Sequence, residues 1–75
     1  MAFGTTVAQL RSERNLTQEH LAEKIDATNV FICMLEKGQR QPSLKTVILL
    51  AHALGIAPHE LVKKVCSALS LDSNQ

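Results

Sequence analysis

From Thr17 to Gly38 the chain reads TQEHLAEKIDATNVFICMLEKG, a run that has room for two short helices around one tight turn. Thr17 and Thr28 each precede a helical stretch, where a hydroxyl can accept one of the unpaired backbone N–H bonds of a helix start. Glu19 in the first turn suits the positive end of the helix dipole. Leu21, Ala22 and Ile25 fall on one inner face, and Asp26-Ala27-Thr28 forms the turn. The second helix, Asn29 to Lys37, turns Ile32 and Leu35 inward and stops at Gly38. Its outward positions are then Asn29, Val30, Cys33 and Met34, an unusually apolar set.

Apolar spacing is helical elsewhere too, and no stretch alternates at period two for long enough to be a strand. Helix one is expected from about Thr5 to Arg14, with Thr5 or Thr6 as cap, Phe3 ahead of it, Val7 and Leu10 facing inward, and Asn15 as a left-handed stop. Pro42 and Ser43 open helix four, in which Leu44, Val47, Ile48, Ala51 and Leu54 form a stripe at i, i+3, i+4, i+7 and i+10 before Gly55. Pro58 suits a first helical position. Helix five then runs over about 58–70, with Leu61, Val62, Val65, Ala68 and Leu69 on one broad face and 71–75 as a frayed tail. The expectation is an all-α fold: one compact five-helix domain over residues 1–75.

Only two aromatic residues, Phe3 and Phe31, are present, so the core has to be aliphatic. A core of this size supplies roughly 3–5 kcal/mol, and dimerisation is one way to reinforce it. The net charge of +1 provides no strong basic field, so any affinity for nucleic acid must come from local placement of charge. Cys33 and Cys66 make no disulfide framework, and His20, His52 and His59 lack the partners of a zinc site. Nothing in the pattern supplies a nucleophile with its base, a phosphate loop, a metal, a cofactor or a small-molecule site, which argues against an enzyme. The start of the chain has no leader-like pattern, and no apolar run approaches the ~20 residues of a membrane span. A cytoplasmic protein with reduced thiols is expected.

With Gln18 as the first motif position, Ala22 is fifth, Asp26 ninth, Ile32 fifteenth and Leu35 eighteenth. A small fifth residue lets the two helices pack closely, the ninth begins the turn, and the last two hold the second helix on the core. At this spacing the chain resembles the Cro and phage-repressor-type helix-turn-helix family, widely called XRE. The segments LRSERNLTQEHLAEKI, MLEKGQRQPSL and LLAHALGI carry the likeness, from about Gly4 to Val65.

The resemblance implies a lambda-repressor-like fold that binds double-stranded DNA through helices two and three, usually as a homodimer on a near-palindromic operator. It implies phosphate contacts from Gln18, Thr28, Lys37, Gln39, Arg40 and Gln41, base contacts from Asn29, Val30, Cys33 and Met34, and a structural ion pair between Arg11 and Glu36. Two departures from the family pattern stand out: Asp26 occupies a position commonly held by glycine, and the recognition helix has no Arg, Lys or Gln before Lys37.

Physical chemistry allows these roles. Gln18 lies at a helix N-terminus, where free amides favour a phosphate. Asn29 can bond adenine bidentately, and Val30 and Cys33 can meet thymine methyl groups, so contacted positions rich in A·T pairs are expected. Phe31, beside inward-facing Ile32, reads as a packing residue. A lone thiol at Cys33 with no basic neighbour reads as inert. Leu61, Val65, Ala68 and Leu69 exceed what one domain face needs and offer a dimer surface. The reading is a sequence-specific transcriptional regulator. The alternative is the same fold used as a protein-interaction module through the apolar face of helix three.

Overall fold

The computed structural model describes residues 2–69, apart from the side chains of Ala2 and Leu69. These residues form five helices: α1 Ala2–Glu13, α2 Gln18–Lys24, α3 Asn29–Glu36, α4 Leu44–Leu54 and α5 Pro58–Leu69. The tail expected at 71–75 lies outside the described residues.

Three helices start in the same way. Thr17, Thr28 and Ser43 are extended, and their hydroxyls accept from the amides of His20, Phe31 and Thr46 at 3.0, 3.1 and 3.1 Å. Four helices also end in the same way. Asn15, Asp26, Gly38 and Gly55 take positive φ values of 57°, 59°, 78° and 76°. In each case the next amide reaches back five residues: Leu16 N to Arg11 O, Ala27 N to Ala22 O, Gln39 N to Met34 O and Ile56 N to Ala51 O, all at 2.8–3.0 Å. This left-handed cap satisfies carbonyls that a helix end leaves free. Asp26 in the motif turn is therefore one of four equivalent helix stops.

The core is aliphatic. Val7 and Leu10 of α1, Leu21, Ala22 and Ile25 of the α2 segment, Ile32 and Leu35 of α3, Leu50, Ala51 and Leu54 of α4, and Leu61 of α5 are buried together. α3 packs on α1 and α2, while α5 packs on α1 and α4.

Three sequence expectations need correction. α1 begins at Ala2, three residues before the expected start, so Phe3 lies within the helix and Thr6 is a buried helical residue rather than a cap. In α4 the buried positions are Leu50, Ala51 and Leu54, while Leu44 is 76% exposed and Ile48 is also exposed. Apolar residues lie nearly all round this helix, and the stripe chosen by spacing is rotated from the one that the neighbouring helices cover. In α5 Leu61 is fully buried and belongs to this domain's own core, so it offers nothing to a second subunit.

Candidate nucleic-acid interface

Gly4 sets how closely α1 approaches α3. It is buried, and a Cβ there would fall against the carbonyl oxygen of Leu35 and 2.5 Å from that of Glu36. Only a residue without a side chain lets the start of α1 cross the end of α3 at this distance. Two turns along α1, Arg11 completes the junction. Its Nε donates to Glu36 Oε2 at 2.7 Å and its Nη2 to Glu36 Oε1 at 3.2 Å. The remaining guanidinium nitrogen, Nη1, donates to the carbonyl of Leu16, just ahead of α2, at 2.8 Å. Gln18 Nε2 donates to Glu36 Oε1 at 2.9 Å. One carboxylate thus ties α1, the first residue of α2 and the last residue of α3 together, and the two halves of the motif are held in one orientation.

The outward edge of α3 is graded. Asn29 and Val30 are exposed, Val30 to 63%, whereas Cys33 and Met34 are half-buried. The helix therefore presents its first turn fully and its middle only in part. Thr28 keeps its hydroxyl hydrogen free to donate outward, because it caps α3 through an oxygen lone pair. After α3, Lys37, Gln39, Arg40 and Gln41 are all exposed. Arg40 does not extend freely into solvent, since its Cζ lies 5.6 Å from the centre of the Phe31 ring. Gln18, half-buried and held by Glu36, uses one donor there and keeps a second N–H and its carbonyl oxygen.

The structure thus gathers Gln18, Arg11 and Glu36 at the end of α3, sets Asn29 and Val30 at its start, and brings the loop cation Arg40 back alongside Phe31. Of the residues expected at a dimer surface, Val65 is half-buried and Ala68 exposed, Leu61 is interior, and the Leu69 side chain is outside the described residues. Sequence reading missed Gly4, the Gln18–Glu36 bond and the Arg40–Phe31 cation–π contact. A lone glycine in an otherwise helix-favouring stretch was a signal for the first. The other two pair residues that carry no local pattern. Among the described residues no three His, Cys, Asp or Glu side chains are grouped to hold a metal ion, and no helix is long and apolar enough to cross a membrane.

A family model described as helix-turn-helix matches residues 7–61. This chain belongs to the helix-turn-helix family. A relative named an uncharacterized HTH-type transcriptional regulator, from Sinorhizobium fredii, is 39% identical over 59 residues, which cover 79% of this chain and 77% of that protein. The control protein C.BamHI of Bacillus amyloliquefaciens is 36% identical over 63 residues, covering 83% and 78%. The crystal structure of the restriction-modification controller protein C.AhdI from Aeromonas hydrophila superposes with a TM-score of 0.75 at 39% identity, over 79% of this chain and 86% of that one. The helix-turn-helix of this chain is the α2–α3 pair, with Asp26 in its turn.

Proposed function

We propose that this helix-turn-helix protein is a sequence-specific, double-stranded-DNA-binding transcriptional regulator that acts inside the cell as a homodimer on a near-palindromic operator. Its role is binding, not catalysis. The observation that carries this reading is the uncovered first turn of α3, Asn29 and Val30, on a helix whose far end is anchored through Glu36 and followed by an exposed loop bearing Lys37 and Arg40. Asn29 supplies an adenine-reading amide, Val30 a surface for a thymine methyl, and Cys33 and Met34 the apolar flank. Gln18, Thr28, Lys37, Arg40 and the amides of Gln39 and Gln41 take backbone phosphates and set the register. With few cations per domain, two copies share the site, and half-sites about one helical turn apart follow from that pairing. The surface that α5 offers a second copy is Val62, Val65 and Ala68, outside the buried Leu61.

Selection of duplexes from a random library, with the winner re-titrated at several salt concentrations, tests the reading. The expected result is an enriched inverted repeat with A·T pairs at the contacted positions and an affinity that falls steeply with salt. Val62→Glu should lower the sedimentation coefficient to that of a monomer with helicity intact.

The exposure of Val30 beside half-buried Cys33 and Met34 also fits a protein-binding face. A folded protein that enriches no duplex, and that captures a protein partner with little salt dependence, would favour that second reading.

A further inference from the structure

We propose that Phe31 is a positioning residue for the DNA backbone contact: its ring face holds the Arg40 guanidinium alongside α3 with the N–H groups free for a phosphate. This rests on the DNA-binding reading above. The 5.6 Å between Arg40 Cζ and the ring centroid is within the range at which an aromatic quadrupole attracts a cation. The ring is half-buried and packed against the core, so it is a fixed platform, whereas Arg40 is exposed. The loop is closed back onto α3 by Gln39 N donating to Met34 O at 2.8 Å, which brings the next residue over the ring.

A cation held over a ring by its quadrupole spends no N–H donor on an oxygen acceptor, so the guanidinium donors stay available. The other two arginines are committed differently. Arg11 spends its donors on Glu36 and the Leu16 carbonyl, and Arg14 donates to the Leu10 carbonyl beside Glu13. Among the described residues Arg40 has no carboxylate partner and no hydrogen-bonded acceptor, so its charge and its fork remain open to an anion. A long side chain that is already held against a ring loses less freedom when it meets a phosphate, which is the advantage of preorganisation.

The test is a double-mutant cycle on affinity for a random-sequence duplex at low salt, because a phosphate contact is indifferent to sequence. Phe31→Leu keeps an apolar side chain and removes the ring face; Phe31→Tyr keeps the face. Phe31→Leu should weaken binding by roughly two- to five-fold. Phe31→Tyr should bind as wild type, and Phe31→Leu should cost nothing further in an Arg40→Ala background. If the leucine variant melts at the assay temperature, Phe31→Met takes its place in the cycle. Equal losses in both backgrounds, or no loss in the wild-type background, would overturn the platform and leave the DNA reading standing. A folded wild type that binds no duplex would overturn both.

Discussion

Arg11 Nε and Glu36 Oε2 stand 2.7 Å apart across 25 residues of sequence, and the side chains are only 20% and 7% exposed. Glu36 also accepts from Gln18, so the pair is the centre of the α1–α2–α3 junction and not an isolated surface bridge. Arg11→Ala strands a nearly buried carboxylate, and the expected loss is about 3 kcal/mol in urea unfolding. Replacing both partners, as in Arg11→Met with Glu36→Leu, should recover most of that loss, because no charge is left unpaired. A loss in Arg11→Ala below about 0.5 kcal/mol, the level of a solvent-exposed pair, would show that the junction is held by packing alone.

Gly4→Ala should destabilise the domain even though alanine is the better helix former. The added methyl would meet the carbonyls of Leu35 and Glu36, which are backbone and cannot swing aside. The expected cost is about 2 kcal/mol, typical of overpacking, and a denaturant midpoint measures it. A stabilised variant would mean that α1 can lift from α3 without penalty.

Asp26 holds a left-handed conformation at φ 59° in the motif turn. That conformation costs a non-glycine residue roughly 1 kcal/mol, against which glycine brings extra freedom in the unfolded chain. Asp26→Gly should therefore leave the melting temperature equal or raise it by up to about 5 °C, while the β-branched Asp26→Val should lower it by about 5–10 °C. Thermal melts of the two variants should bracket the wild type.

Phosphate and base contacts separate by their salt behaviour. Lys37→Ala and Arg40→Ala, each removing one phosphate contact per subunit of the proposed dimer, should each flatten the plot of log affinity against log salt by about 1.8 and weaken binding to all sequences alike. Asn29→Ala should leave that slope unchanged and relax the preference at one base pair of each half-site. Equal slopes in all three variants would remove the loop from the interface.

Most of the fold was legible because most of its signals are local. Thr17, Thr28 and Ser43 cap helices through an amide three residues away, and Asn15, Asp26, Gly38 and Gly55 stop them by turning the next residue's amide onto a carbonyl five residues back. The inward positions of α2 were readable because polar residues on its other faces leave only one stripe to bury, and those of α3, which is apolar on its outer side too, were readable from the motif spacing that sets Ile32 and Leu35 on the core. Residue by residue, the sequence alone determined the five helices, the starts of α2 to α5, the stops of α1 to α4 and the motif spacing, whereas the start of α1 at Ala2 was set by its packing on α3. Its apolar α4 admits more than one buried face, and packing against α2 and α5 decided for Leu50 over Leu44 and Ile48. Tertiary structure also decided that Leu61 is interior, that Gly4 lies on α3, that Gln18 bonds Glu36 and that Arg40 lies over the Phe31 ring. The reason is distance along the chain. A cap or a stop is satisfied within one or two turns, so local residue types specify it. A face, a close approach or a pairing between helices depends on how separate elements share one small core, and no single stretch of sequence carries that.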